Sequence, residues 1–353
     1  MCLTVLSVSY SLAIVSENTA GGAEHVLATL DEALIRRGHR SLVLAPEGSR
    51  CRGLLVPVQI PFHTLDENAK REAHRRFKQI LDRTLARYRI DVVHMHGLDF
   101  FEYLPDADVP VVVSLHLPPA WYPPSALRTS RPNTKLVCVS RAQARTVPHD
   151  IRVDCVIPNG IDLRRFRPAG RKGNYVVAIG RICPEKGFHL AVEAAERARI
   201  KLVLAGTVFD YREHREYFNS VIQPMLTEHA RFVGPIGGAQ KSHLLAGAQC
   251  VLVPSLVPET SSLVAIEAMA CGTPVIAWSS GALPEIVRQG KTGFLVNTVE
   301  EMAGAITRAD SISSEVCRRE AEERFSAEAM VDQYLDLYRS LLTSLNTPEL
   351  QAA

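Results

Sequence analysis

The chain has 353 residues, of which 46% are apolar and 22% charged, an ordinary globular composition sized for two domains of about 170 residues each. Forty basic against thirty-eight acidic side chains give a formal charge of +2, which excludes the single-sign field of a dedicated nucleic-acid binder. Eight cysteines at wide, irregular spacings contain no Cys-x-x-Cys pair, so neither a zinc knuckle nor a small disulfide scaffold is expected and a reducing cytoplasm fits. No apolar run reaches the ~18 to 20 residues of a membrane helix, and the apolar start, Leu3 to Val15, lacks a basic leader region.

That start reads as a buried first strand, Leu3 to Ser9. The pair Gly21 and Gly22 follows, then Val26, Leu27, Leu30, Leu34 and Ile35 at helical spacing until Gly38, and a second strand from Ser41 to Ala45. From Asn68 to Arg89 a helical stripe of Phe77, Ile80, Leu81, Leu85 and Tyr88 is flanked by basic side chains, among them Arg71, Arg75, Arg76, Lys78, Arg83, Arg87 and Arg89. A solvated face outweighs an anionic-membrane contact there. Short buried strands are expected at Asp91 to His94, Val109 to Leu115 and Lys135 to Val139. Arg128, Arg131 and Lys135 add a basic group suited to an anionic acceptor or a membrane surface. The stretch VIPNGID, Val156 to Asp162, leads into the basic run Arg164 to Lys172, and the domain boundary is placed near Pro168.

The order of strand, glycine turn, helix and strand then repeats: Tyr175 to Ile179, the turn Gly180 to Gly187, a helix through Ala191 to Ala198, and Leu202 to Leu204. Phe232 to Gly234, Val251 to Pro254, Pro274 to Ala277 and Gly293 to Val296 alternate with helical segments, as a second doubly wound domain requires. A closing helix, 326 to 342, carries Met330, Tyr334, Leu337, Tyr338 and Leu341 on one stripe, and residues 343 to 353 read as a frayed tail.

The densest chemical signal is PSLVPETSSLVAIEAMACGTP, Pro254 to Pro274, where a strand ends, a Thr/Ser-rich turn follows and a helix opens at about Ser262. A helix start offers free backbone N–H groups to an anion. Glu267 lies eight positions after Glu259, so a pyrophosphate at the helix start would put a ribose near Glu267, whose carboxylate can accept both hydroxyls. Spacing alone favours two surface acids of an amphipathic helix, and it is the Thr/Ser-rich entry that weighs against that reading. Arg181 and Lys186, between a strand and a helix, would face a polyphosphate, although two solvated loop cations are the plain alternative. Gly21 and Gly22 would let a ligand approach another helix N-terminus, a place where a tight turn also needs glycine. His94, His96 and His116 fall at successive strand ends, with Pro118 and Pro119 breaking the chain after His116. Gly290-Lys291-Thr292 is not a phosphate loop, since Glu285 stands where the leading glycine should be, and no Gly-x-Gly-x-x-Gly occurs, which weakens a dehydrogenase reading.

GGAEHVLATLDEALIRRGH from Gly21, VVHMHG, VIPNGID, GRICPEKG, FVGPI at Phe232 and the Glu, seven residues, Glu arrangement running into EAMACGTPVIA together resemble the retaining, nucleotide-sugar-dependent glycosyltransferases of family four. The resemblance covers nearly the whole chain. It implies an α/β chain of GT-B fold, with two facing Rossmann-like doubly wound domains (1–168 on the acceptor side, 169–325 on the donor side) and an interdomain cleft, the closing helix crossing back to the first domain. Residue by residue, it implies that Arg181 and Lys186 hold the donor diphosphate, Glu267 the ribose hydroxyls, and Glu259 with the backbone amides of Ser261, Ser262, Leu263 and Val264 the donor sugar. Gly22 would lie near the diphosphate, His116 would touch the transferred sugar, and the loop beginning at Val233 would frame the base. Many members carry a Phe-Gly or similar pair where Ser261 and Ser262 stand, which bears on the identity of the donor sugar.

The expected activity is transfer, with retention, from a nucleoside-diphosphate sugar (UDP- or GDP-linked) to a glycan, lipid-linked or small-molecule acceptor, with His116, Glu259, Arg181 and Lys186 as the catalytic set. Arg181, Lys186 and the helix dipole would stabilise the departing diphosphate, so no metal and no further cofactor is called for. The setting is cytoplasmic, with room for peripheral contact at the inner face of the plasma membrane. The competing readings are a nucleotide-sugar epimerase on the same fold, which needs no acceptor, and a catalytically silent sugar-nucleotide binder, against which the intact Arg181, Lys186, Glu259 and Glu267 argue.

Overall fold

The computed structural model describes residues 2–16, 21–60, 66–128, 131 and 133–346. The chain divides into two compact units, Met1–Asn159 with Ala327–Ala353, and Gly160–Ser326. The division falls ahead of the basic run rather than at Pro168. The reason is packing: the Ile161 N–H donates to Phe325 O at 2.9 Å, and Ile161 and Phe166 are buried in the core of the second unit. Among the described residues no helix is long and apolar enough to cross a membrane.

The first unit is built on a seven-stranded parallel sheet of order β3-β2-β1-β4-β5-β6-β7. Its strands are β1 (Thr4–Val8), β2 (Arg40–Pro46), β3 (Leu54–Val58), β4 (Val92–Met95), β5 (Val111–Leu115), β6 (Thr134–Cys138) and β7 (Cys155–Val156). TVLSV of β1 and VVVSL of β5 are buried along their whole length, as β-branched runs between two helical layers should be. The helix Glu67–Arg87 packs Phe77 and Leu81 on Leu6, Val8, Val93 and Met95, while Leu27 and Ala28 of the helix Gly22–Arg36 pack on Val43 and Ala45. On the Glu67–Arg87 helix the basic side chains meet acids: Arg75 and Arg76 pair with Glu72, and Lys78 with Asp82 and Asp106. That is a solvated, ion-paired face.

The helix Ala327–Asn346 closes this unit. It buries Met330, Val331, Tyr334, Leu335, Tyr338 and Leu341, and it meets the Gly22–Arg36 helix through Arg36–Glu328 and Arg37–Asp332 pairs at 3.2 and 2.7 Å. It runs past Leu342 to Asn346, so the expected fraying at 343 does not begin there; 347–353 of that tail lie outside the described residues.

The second unit holds a six-stranded parallel sheet of order β10-β9-β8-β11-β12-β13. These are β8 (Tyr175–Ile179), β9 (Lys201–Ala205), β10 (Ala230–Phe232), β11 (Val251–Val253), β12 (Val275–Trp278) and β13 (Gly293–Val296). Both sheets step outward from a first strand and then reverse, the doubly wound pattern whose ligand edge lies at the carboxyl ends of the strands. The helix Leu263–Ala270 is buried from Ala265 to Ala270, which is why AIEAMA reads apolar on every side but one.

Candidate functional site

At the carboxyl end of β8 the chain turns through Gly180 to Gly187, with a single 3-10 turn at Pro184–Lys186. Three main-chain bonds fix this turn to its neighbours. Ile182 N–H donates to Thr207 O at 3.0 Å after β9, Gly180 N–H to Ala205 O at 3.1 Å, and Leu256 N–H, after β11, to Glu185 O at 2.8 Å. Gly187 has a φ of 62°, and a Cβ on it would stand 2.2 Å from Pro254 O, so only glycine brings the turn this close to the β11 loop.

The result is a meeting of the two segments that carry the charged signals. Lys186 Nζ lies 2.6 Å from Glu259 Oε1, with the Glu259 side chain 7% exposed and that of Lys186 26%. Glu259 is gripped through its backbone as well: Ala282 N–H donates to Glu259 O at 2.8 Å, and Gly281, at φ 57°, leaves no room for a Cβ, which would lie 2.5 Å from Glu259 N. Arg181 is exposed and makes no ion pair among the described residues. Ser261 is half-buried and Ser262, buried, stands at the N-cap of the helix Leu263–Ala270 without a side-chain capping bond, so the helix start keeps its backbone N–H groups for something else. Leu263 and Val264 form the first turn.

Glu267 is the fifth residue of that helix and is fully buried. Lys241, on the helix Gly238–Gly247, puts its Nζ 2.5 Å from Glu267 Oε2. Reading the sequence does not find Lys241, since it lies 26 positions before its partner in a segment without charge periodicity. Val233 follows β10 directly, is half exposed, and donates its N–H to Leu204 O at 2.9 Å. The strand itself ends two residues before the Gly234 expected of it, because Gly234 turns to a φ of 75°.

In the first unit, Gly22 opens the helix Gly22–Arg36 behind the N-cap Gly21, and the Glu24 carboxylate folds back to the place a Gly21 side chain would take. Burial pushes the Glu24 carboxyl up from the usual carboxylate range. His94 is in β4, His96 follows it, and His116 follows β5. Tyr338 OH and His94 Nδ1 lie 2.7 Å apart, His94 Nε2 and Ser114 Oγ 2.8 Å, Ser114 Oγ and Tyr334 OH 2.7 Å, and His96 Nδ1 and His116 Nε2 3.0 Å. The closing helix thus supplies two tyrosines to a buried polar chain under the strand ends. One Asp-x-Asp triplet exists, Asp106-Ala107-Asp108, but Asp106 pairs with Lys78 at 2.8 Å and Asp108 accepts from the Asn133 amide at 2.9 Å, so both are occupied in fixing their loop.

Burial lowers the pKa of all three histidines, His116 to about 4 and His94 and His96 well below the ordinary imidazole value. An imidazole with a depressed folded pKa takes its proton first in the unfolded chain, so stability is complete above about pH 6.5 and is lost as pH falls toward the folded value. For His116 alone the loss at pH 4.5 is roughly 2 to 3 kcal/mol. Denaturant melts between pH 7.5 and 4.5 check this: stability should fall steadily below about pH 6.5, and a flat profile contradicts the neutral histidine cluster.

Two family models divide the chain at the unit boundary. "Glycosyltransferase Family 4" matches residues 20–165 and "Glycosyl transferases group 1" matches 161–329. The chain belongs to glycosyltransferase family four. Among its relatives is a D-inositol 3-phosphate glycosyltransferase of Saccharomonospora viridis, 30% identical over 58% of this chain and 54% of that protein. The chain therefore spans about half the length of the curated relatives it matches. Two solved structures share the fold: a sucrose-phosphate synthase from Thermosynechococcus elongatus (TM-score 0.80, 22% identity, 97% of this chain and 100% of that one) and Anabaena HepE in complex with UDP-glucose (TM-score 0.71, 20% identity, 96% and 100%). The two doubly wound units are thus those of the GT-B architecture that the family's motifs imply.

Proposed function

We propose that this chain transfers a sugar from a nucleoside-diphosphate sugar to an acceptor hydroxyl, holding the donor at the carboxyl edge of the second unit's sheet. The observation that carries the reading is the arrangement of Glu259 and Glu267, each set by a lysine, on either side of an uncapped helix N-terminus. Negative charge at such a start is stabilised by the helix dipole and by direct N–H donation. The Lys186 ammonium has three donors, so it can donate to Glu259 and to a phosphate oxygen together.

In this reading Arg181, Lys186 and the N–H groups of Ser261, Ser262, Leu263 and Val264 meet the diphosphate and sugar, Glu267 accepts the ribose hydroxyls, and the backbone at Val233 frames the base. As the glycosidic bond breaks, charge grows on the departing diphosphate, and fixed cations and N–H dipoles stabilise it without reorganising. The proposal asks no divalent cation for this step. For His116 and Gly22 in the first unit it adopts the family's roles, contact with the transferred sugar and with the diphosphate. Retention of configuration, with the acceptor proton leaving on the diphosphate side, is likewise the family's mechanism. The UDP-glucose complex of HepE supports a UDP-linked donor, with GDP as the alternative, and the inositol-phosphate relative makes a phosphorylated polyol the first acceptor to try among small molecules, glycans and lipid-linked sugars.

A thermal-shift panel of UDP, GDP, ADP and their sugar conjugates tests the donor class. A ligand at one hundred times its dissociation constant stabilises its unit by ~2.7 kcal/mol, so one base should raise the transition temperature by roughly 5 °C or more. No shift from any nucleotide overturns the proposal. With a donor in hand, the anomeric proton coupling of the product should match that of the donor.

A further inference from the structure

Outside the donor residues, three metal-ligating side chains from two elements meet in the second unit. Cys183 precedes the 3-10 turn Pro184–Lys186, Glu185 lies within it, and His214 lies on the helix Arg212–Tyr217. The thiol sulfur, a carboxylate oxygen and a ring nitrogen lie within 4.8 Å of one another. Cys183 is 1% exposed and His214 8%, while Glu185 faces solvent. The turn is held from behind, since Glu185 O accepts from Leu256 N–H at 2.8 Å and from Ser255 Oγ at 3.4 Å.

A second observation points to a ligand. His214 Nδ1 is buried with no hydrogen-bond partner among the described residues, its ring set edge-on against Phe209 and Tyr211. A buried polar nitrogen left unpaired costs free energy, and native chains rarely keep one without a use for it.

We propose that Cys183, Glu185 and His214 bind a thiophilic divalent cation of the zinc class. Tetrahedral zinc with bonds of about 2.0 to 2.3 Å to nitrogen, oxygen and sulfur needs its ligand atoms about 3.3 to 3.8 Å apart, so the three groups close on the ion by roughly 1 Å. The fourth position, on the Glu185 side, opens to solvent and takes water. The S–Zn bond forms as the thiol releases its proton to solvent, so the set carries two negative charges against the ion's two positive ones. A thiolate with an imidazole selects zinc over magnesium or calcium. The bound ion clasps the helix Arg212–Tyr217 to the turn that carries Arg181 and Lys186, and it has no part in bond breaking.

Cobalt(II) is the probe, because a thiolate ligand gives it a near-ultraviolet charge-transfer band and a tetrahedral site gives it strong visible bands. The full chain, stripped with chelator and kept reduced with a phosphine, should develop both bands to saturation at one equivalent and lose them on adding one equivalent of zinc. Cys183→Ser should abolish the charge-transfer band and His214→Ala should weaken binding severely. Cys2→Ser, which alters an exposed thiol elsewhere, should leave the spectrum unchanged. Should the buried variants fail to fold, Glu185→Gln at the exposed ligand should still lower cobalt affinity by about tenfold or more. No charge-transfer band, or one that persists in Cys183→Ser, overturns the site. Donor binding is not read in this experiment, so its outcome is separate from the glycosyltransferase proposal.

Discussion

Lys186→Ala should weaken binding of the nucleoside-diphosphate donor by roughly tenfold to 150-fold, the equivalent of the 1.5 to 3 kcal/mol of a charge-assisted hydrogen bond. Two effects add. The phosphate loses a cation, and the Glu259 carboxylate, 7% exposed and 2.6 Å from Lys186 Nζ, is left facing an incoming anion. Glu259→Gln in the Lys186→Ala background should therefore recover part of the affinity for the nucleoside diphosphate itself, although it removes a sugar contact. Calorimetric titration of both variants checks this, and a Kd within twofold of the parent for Lys186→Ala removes that residue from the site.

The second large effect concerns Lys241, which touches no donor atom in the proposed reading. Glu267 is fully buried and Lys241 is 19% exposed, so the two partners differ in what their loss leaves behind. Lys241→Met leaves a buried carboxylate without its cation, a change that costs about 3 kcal/mol, whereas Glu267→Gln leaves a lysine that can reach water and costs less. Chemical denaturation should show that order. Lys241→Met should also weaken nucleotide binding, because the Glu267 carboxylate loses the ammonium that holds it at 2.5 Å and with it the fixed orientation for accepting ribose hydroxyls. Lys241→Arg should restore both properties. Equal stability losses in the two variants, or nucleotide affinity untouched in Lys241→Met, refute this division of roles.

Much of the architecture was legible because it is local. The β-branched runs that become β1, β5 and β8 are buried on both faces, and the glycine turns at Gly21 and Gly180 sit where a parallel strand gives way to its crossover helix. The strand β3 carries no clear strand signal because Pro57 interrupts it, which is tolerable only at a sheet edge, and β3 pairs with β2 alone. The two-residue β7 is too short to carry a period. The boundary near Pro168 followed composition, which cannot show that Ile161 and Phe166 are drawn into the second core.

The site divides in the same way. Glu259, Glu267, Arg181 and Lys186 were legible from spacing and resemblance, and Lys186 and Glu259 do meet. Lys241 on Glu267, Tyr334 on Ser114 and Tyr338 on His94 were not, since each pairing is made by tertiary folding over 26, 220 and 244 positions with no local pattern to announce it. The Cys183, Glu185 and His214 cluster is of that kind too: no metal-ligand spacing exists in the sequence, and only the packing of one helix on one turn brings it together.

In the proposed function the carboxyl edge of the second sheet holds a nucleoside-diphosphate sugar. Backbone amide hydrogen exchange with and without the donor selected in the thermal screen measures this residue by residue. Slowed exchange is expected at 180–187, at Val233 and across 259–267. Slowing that leaves all three segments unchanged, wherever else it occurs, would contradict it.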